Sequence, residues 1–276
     1  MIGSPIGHSL SPMIQNAALR AAGLDYVYVA LPASPYALDS VVYGLRDAGV
    51  VGFNVTIPFK TEMIHLMNDL SDDARHVQAV NTVVIQRDSR LVGHNTDVMG
   101  FLAGFAERDV VLAGKSAVMI GAGGAARAAL WGLLQSHVSS VVIGVRDPAK
   151  GAALCKDFAA NGDVRALSFD DPTFISAMGA ADIVVQTTPL GMMPHVEEMP
   201  PVDITAMKPS AVVYDLIYTP AETRFLREAA ARGHVTINGE TMLVAQGAEA
   251  FFLWTGVRPD TALIKRVLRE ELARRT

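Results

Sequence analysis

Apolar and polar positions along the chain fall into short blocks of two periods. Residues 26–31, Tyr-Val-Tyr-Val-Ala-Leu, have the β-branched and aromatic content of a strand. Ahead of them, Ser11 suits the N-cap of a helix and Pro12 its first position, with apolar residues following to Gly23. Residues 36–48 read as a helix. Residues 52–57 read as a second strand, stopped at Pro58, with a helix then running to about residue 70. Residues 80–86 and 90–93 read as strands around the polar turn Arg87-Asp88-Ser89.

From Ser116 the pattern sharpens. Residues 116–120 form a short buried strand, and a glycine-rich turn and a helix to about Gln135 follow. Residues 141–145, 183–186 and 212–216 are further apolar strands, and residues 242–254 and 261–274 are helical. Strand–helix–strand alternation predicts an α/β protein with a parallel sheet. No repeat or linker marks a boundary, and the helical stretch between Asp97 and Gly114 is the expected junction of two domains.

Composition narrows the class. With 276 residues, half of them apolar, the chain has material for two cores. The net charge of −5 gives no footprint for nucleic acid or an anionic membrane. Lys265, Arg266, Arg269, Arg274 and Arg275 are interleaved with Glu270 and Glu271, as on the solvated face of a last helix. A single cysteine, Cys155, excludes an intramolecular disulfide and fits a reducing compartment. Residues 1–19 lack charged side chains but are broken by serines, prolines and amides, so they resemble neither a membrane span nor a signal peptide. A soluble cytoplasmic protein is expected.

Gly121-Ala122-Gly123-Gly124-Ala125-Ala126 matches the dinucleotide fingerprint, and it lies between a strand and a helix, where that fingerprint operates. The first glycine permits the tight turn, the second lets the backbone approach a pyrophosphate, and the helix N-terminus offers N–H groups to phosphate. The next strand ends in Arg146-Asp147-Pro148-Ala149-Lys150. Arg146 and Lys150 suit the 2′-phosphate of NADP, whereas an acid such as Asp147 suits the bare ribose of NAD. Asp147 could equally cap the helix that Pro148 opens.

The first hundred residues carry polar clusters. Ser9 and Ser11 suit a small carboxylate at a helix start, although Ser11 also reads as a plain cap. Asn54 and Thr56 share one face of a strand and call for partners. Lys60 is expected in the first turn of a helix, where a cation opposes the dipole; that suits a proton carrier, or else a lysine that simply tolerates its place. Asn95, Thr96 and Asp97 precede an apolar run and could each cap a helix, and Asn81 could be an ordinary turn residue. The seven histidines lack metal-binding spacing, and no GxSxG elbow occurs, so neither a metal site nor a serine hydrolase is expected.

Together the blocks Gly3-Ser-Pro-Ile-Gly-His-Ser-Leu-Ser-Pro12, Gly52-Phe-Asn-Val-Thr-Ile-Pro-Phe-Lys60, Ala79-Val-Asn-Thr82, Gly93-His-Asn-Thr-Asp97, Gly121-Ala-Gly-Gly-Ala125, Tyr214-Asp-Leu-Ile-Tyr-Thr-Pro220 and Gly239-Glu-Thr-Met-Leu-Val-Ala-Gln246 resemble the shikimate dehydrogenase family over almost the whole chain. The resemblance implies a substrate domain of residues 1–100 plus 242–276 and a Rossmann NADP-binding domain of residues 101–241, with the active site in the cleft between them. It implies reduction of 3-dehydroshikimate to shikimate with NADPH, on the route to aromatic amino acids. Ser9 and Ser11 would hold the substrate carboxylate, and Thr56, Asn81, Asn95 and Gln246 the ring hydroxyls. Lys60 and Asp97 would be the catalytic pair. Tyr218, counted with the substrate residues, would lie with Gly239 and Met242 on the nicotinamide side. Residues 121–125, Arg146, Asp147, Lys150 and Thr188 would serve the cofactor.

Three departures stand out. The chain starts almost at the first motif, so a short first strand is expected. Val145 and Asp147 flank the arginine where NADP-users of the family show Asn and Thr, which leaves NAD open. Gln186 replaces an Asn near the cofactor. The nearest rival is a quinate/shikimate dehydrogenase using NAD; Ser11 rather than Thr favours shikimate. A rival of another class is a non-catalytic sensor of a dinucleotide or of shikimate, which would need neither Lys60 nor Asp97. A monomer or homodimer is expected.

Overall fold

The computed structural model describes residues 1–7 and 9–275; His8, the side chain of Arg275 and Thr276 lie outside the described residues. The chain divides into two compact units, Met1–Gly100 with Val244–Thr276, and Phe101–Leu243.

The first unit begins with β1 (Ile2–Gly3), α1 (Ser11–Ala21), β2 (Leu31–Pro32), α2 (Leu38–Asp47) and β3 (Gly52–Asn54). Then come β4 (Asp69–Leu70), α3 (Asp72–Val77), β5 (Thr82–Ile85), β6 (Leu91–His94) and the start of α4 (Asp97–Ala106). Strand order is β3-β5-β6-β4, with β3, β5 and β6 antiparallel and β4 parallel to β6. β1 pairs in parallel with β2 and touches the larger sheet through a bridge from Ile2 to Val55. Ile2, Val42, Phe53, Val55, Phe59, Met63 and Val83 form the core of this unit.

Four expectations fail here, the first being the strand over 52–57: it ends at Asn54, with Val55 in a single bridge and Thr56 outside any strand. Only Leu31 and Pro32 of the segment around 26–31 are in a strand, because β1 offers just two residues to pair with. No α-helix follows Pro58; residues 58–61 turn, and a 3-10 helix spans Glu62–Leu66. Ser11 is not the N-cap: Leu10 takes that position, and the Ser9 hydroxyl accepts from the Ser11 N–H at 3.2 Å. A serine oxygen two residues ahead of the first helical N–H reaches it more readily than the helical residue's own side chain.

The second unit runs β7 (Ser116–Ile120), α5 (Gly124–Gln135), β8 (Ser140–Val145), α6 (Pro148–Phe158), β9 (Val164–Ser168), α7 (Pro172–Ala180) and β10 (Ile183–Gln186). It closes with β11 (Val212–Asp215), α8 (Arg224–Ala230) and β12 (Val235–Ile237), before α9 (Glu240–Thr255) and α10 (Thr261–Arg275). All six strands are parallel in the order β12-β11-β10-β7-β8-β9, the doubly wound Rossmann arrangement. Both faces are covered, one by a cluster including Phe101, Leu130 and Ile143, the other by one including Phe174, Val184 and Phe225. Continuous apolar strands such as 141–145 are what a sheet buried on both sides requires. No helix among the described residues is long and apolar enough to cross a membrane.

At the strand N-termini of this sheet, Asp182 accepts from the Lys208 ammonium, from Ser116 N at 3.0 Å and from Ser116 Oγ at 3.2 Å, with Lys115 Nζ 3.8 Å away. The Lys208 hydrogen bond leads in pulling its carboxyl down to about 2. Folding therefore favours the ionised form, and this support is complete at neutral pH and vanishes as pH falls from the unfolded value through the folded one. Asp182→Asn is expected to lower unfolding stability by about 2 kcal/mol at pH 7. Urea unfolding at a series of pH values should show the deficit closing as the pH falls from about 4 to about 2.

Candidate active site

One row of pairings runs across the first unit: Ile2 beside Val55, Asn54 beside Thr82, and Thr82 beside His94. The residues next to this row therefore gather at one edge of the sheet. Thr56 follows the bridge to β1, Lys60 comes four residues later, Asn81 precedes β5, and Asn95 and Asp97 follow β6.

The centre is an ion pair. Lys60 Nζ donates to Asp97 Oδ2 at 2.6 Å, with side-chain exposures of 18% and 9%. Lys60 sits in a turn rather than in a helix, so the helix-dipole argument for it does not hold; a nearby carboxylate, not a backbone field, is its electrostatic partner. Asp97 is the first residue of α4, where the dipole favours a carboxylate. Its second oxygen, Oδ1, accepts from Asn81 Nδ2 at 2.8 Å. Asn81 Oδ1 in turn accepts from Thr96 N at 2.8 Å and from Thr82 Oγ1 at 3.0 Å. Asn95 behaves as a capping residue: Oδ1 accepts from Asp97 N at 3.2 Å, while Nδ2 donates to Ala79 O at 3.0 Å. Asn81, Asn95 and Asp97 are buried, whereas Ser9, Ser11, Thr56, Lys60 and, on α9, Gln246 are half-buried. Ser9 Oγ is also within 3.2 Å of Met1 Sδ. Tyr218 belongs to the second unit and is half-buried there.

In the second unit, β7 and β10 are neighbours whose chains depart to opposite sides, which is the switch point where open parallel sheets bind ligands. Gly121, after β7, has φ +103°, and a Cβ on it would lie 2.5 Å from Thr188 Cγ2 in the loop after β10. Only glycine fits that place. Gly123 is the N-cap of α5 and brings no side chain to it, and a Cβ on Gly123 or Gly124 would meet nothing within 4 Å. Ala122 and Ala125 are neighbours of this open backbone in the same turn. The uncapped α5 N-terminus thus fits a pyrophosphate.

Thr188 is held by the fully buried Gln186, whose Oε1 accepts from Thr188 N at 2.7 Å and from Thr188 Oγ1 at 2.8 Å. At the end of β8, Arg146 and Lys150 are exposed. Asp147 is the N-cap of α6: its Oδ1 accepts from Ala149 N at 3.0 Å and Lys150 N at 3.4 Å. One oxygen of its carboxylate is thus engaged by its own helix, the capping role that the sequence also allowed.

Sequence reasoning gave no role to Asp215, at the end of β11. Its Oδ1 accepts from Ile217 N at 3.0 Å and its Oδ2 from Thr223 Oγ1 at 2.7 Å, so it clasps both ends of the loop carrying Tyr218. Burial pushes its carboxyl up to about 7. Gly239 accommodates the same loop, because a Cβ there would overlap the Leu216 carbonyl; Met242 follows on α9. Thr82 and Thr96 were also missed as partners of Asn81. The available signal was a polar pair, Asn81-Thr82, opening an otherwise apolar strand. Among the described residues, no three His, Cys, Asp or Glu side chains are grouped to hold a metal.

Comparison with known proteins accords with this geometry. Residues 1–83 match the shikimate dehydrogenase substrate binding domain, and residues 239–269 the shikimate 5′-dehydrogenase C-terminal domain. The shikimate dehydrogenase (NADP(+)) of Geobacter metallireducens is 43% identical, over 99% of this chain and 96% of its own length. The Thermus thermophilus shikimate 5-dehydrogenase, solved with NADP(H) and shikimate, has a TM-score of 0.86 and 33% identity, over 98% of this chain and 97% of that one. The quinate dehydrogenase of Corynebacterium glutamicum, solved with NAD, has a TM-score of 0.90 and 30% identity, over 98% of this chain and 97% of that one. With its two-domain α/β architecture and a relative this similar along nearly its full length, the chain belongs to the shikimate dehydrogenase family.

Proposed function

We propose that the protein catalyses the reversible, NADPH-dependent reduction of 3-dehydroshikimate to shikimate. The observation that carries this reading is the Lys60–Asp97 ion pair, set at one sheet edge among buried amides. When bound, NADPH supplies a hydride to the carbonyl carbon. Negative charge then grows on the carbonyl oxygen, and Lys60 Nζ gives that oxygen a proton; in the reverse direction it takes the proton back. Asp97 fixes the ammonium and leaves it donors to spare, since an ammonium has three. Ser9 and Ser11 receive the carboxylate, and Thr56, Asn95 and Gln246 the ring hydroxyls; both hydrogens and both lone pairs of the Asn81 amide are taken by Asp97, Thr96 and Thr82, so Asn81 supports Asp97 instead. Tyr218 completes the substrate set.

Residues 121–125 with Thr188, Gly239 and Met242 would hold the pyrophosphate and nicotinamide portions of the cofactor. Arg146 and Lys150 would hold the 2′-phosphate, and Asp147 serves by capping α6. NADP is thereby favoured over NAD. The protein works in the cytoplasm as a monomer or homodimer, a reading supported by its acidic charge, its lone cysteine and the small-molecule chemistry of its site.

Three substitutions test these assignments. Lys60→Met should cut turnover by a factor on the order of 10²–10⁴ while shikimate affinity stays within about tenfold. Near-normal turnover would refute the proton-transfer role. Arg146→Ala should raise KM for NADP far more than KM for NAD, measured as appearance of reduced nicotinamide with each cofactor. Equal effects would dismiss the phosphate contact. Ser9→Ala should weaken shikimate binding by about 1.5–3 kcal/mol, as expected for a hydrogen bond to a charged group. It should also cost some α1 stability, because Ser9 supplies the cap bond. Unchanged shikimate affinity would place the carboxylate elsewhere.

A further inference from the structure

Behind the ion pair lies a chain of buried hydrogen bonds whose outer members, Tyr28, Asn54 and Thr82, have no part in the reaction described above. Tyr28 Oη donates to Asn54 Oδ1 at 2.5 Å; Asn54 Nδ2 donates to Thr82 Oγ1 at 2.9 Å; Thr82 Oγ1 donates to Asn81 Oδ1 at 3.0 Å; Asn81 Nδ2 donates to Asp97 Oδ1 at 2.8 Å. We propose that Tyr28, Asn54 and Thr82 are positioning residues, forming a one-directional relay that holds Asn81 as a donor to Asp97 and so fixes the carboxylate that orients Lys60. The proposal rests on the reading of Lys60 and Asp97 as the proton-transfer pair.

The orientation of the two amides in the relay is imposed by backbone groups, which cannot change their hydrogen-bonding character. The Thr96 N–H can only donate, so the Asn81 atom facing it at 2.8 Å must be the oxygen. The amide nitrogen of Asn81 is then turned to Asp97. The reverse orientation would set an amide oxygen against a carboxylate oxygen, two acceptors in contact. Likewise the Asn81 carbonyl can only accept, so the Asn54 atom 3.2 Å from it must be nitrogen. That leaves Asn54 Oδ1 facing Tyr28, whose hydroxyl must donate. Thr82 Oγ1 receives the Asn54 N–H on a lone pair and turns its own hydrogen to Asn81 Oδ1 at 3.0 Å, the nearer of two acceptors, Thr96 Oγ1 lying at 3.3 Å. Every member is buried: Thr82 is 0% exposed, Asn81 3% and Asn54 8%. In such surroundings a misdirected polar group is costly and successive hydrogen bonds polarise one another.

Thr82→Val is close in shape but removes the hydroxyl. With shikimate and NADP, its kcat should fall about tenfold, roughly the effect of one lost buried hydrogen bond. KM for both substrates should stay within about twofold, and Thr82→Ser should restore kcat to within about twofold of the parent. Tyr28→Phe removes only the first donor of the relay and should lower kcat about threefold with unchanged KM values. It carries the kinetic test if Thr82→Val does not fold. A parental kcat in the folded Thr82→Val protein or in Tyr28→Phe, a loss confined to KM, or failure of Thr82→Ser to restore turnover would overturn the proposal. A second measurement needs no substrate: the Lys60 ammonium resonance in 15N–1H spectra of the ligand-free protein should move in Thr82→Val and return in Thr82→Ser. An unmoved resonance would overturn the relay. Absence of shikimate turnover in the parent protein would instead refute the assigned reaction, with the spectra still deciding the relay.

Discussion

A lysine ammonium and an aspartate carboxylate 2.6 Å apart, both largely withdrawn from water, are the constraint around which the first unit is organised. Desolvating two charges costs more than their attraction returns unless the remaining lone pairs and protons are also satisfied. The Asp97 carboxylate meets this condition with one oxygen on Lys60 and the other on Asn81, while its backbone N–H goes to Asn95. Asn81 is satisfied in turn by Thr82 and Thr96. The ion pair therefore depends on residues from β5, from the loop after β6 and from the turn after β3. The antiparallel register that places Asn54 opposite Thr82 and Thr82 opposite His94 is what makes them neighbours.

The second unit solves a different problem by backbone alone. A phosphate needs donors without side chains in the way, and the turn between β7 and α5 provides a glycine with φ +103° and then two more glycines with open space at the Cβ position. The opposing loop is not left to chance. Gln186, buried at the end of β10, uses both ends of its amide on Thr188 and Leu190, so Thr188 is fixed against Gly121. Asp215 does the same for the loop of Tyr218, at the cost of burying a carboxyl whose protonation is shifted up to about 7. Both are buried polar side chains that hold a loop at the carboxyl end of a sheet strand by hydrogen bonds to both of its sides.

The chain's own sequence determined the class of the protein and much of its site. Periodicity located four of the six strands of the second unit, because a sheet covered on both faces demands uninterrupted apolar runs, whereas the edge strands β9 and β12 carried no such run; the glycine spacing located the turn between β7 and α5, because only glycine adopts the backbone found at Gly121. The motif blocks singled out Lys60 and Asp97. Local pattern could not decide which of two plausible roles a polar residue takes. Asp147 and Asn95 each make a cap bond, Ser9 rather than Ser11 supplies the bond at the start of α1, and Lys60 lies in a turn where a helix was expected. The segment 26–31 has every intrinsic feature of a strand, yet only Leu31 and the following Pro32 are paired, since a strand exists only where a partner runs beside it. The direction of each hydrogen bond from Tyr28 to Asp97 belongs to the tertiary structure alone. It is set by side chains and backbone groups far apart in sequence that meet only when the sheet has formed.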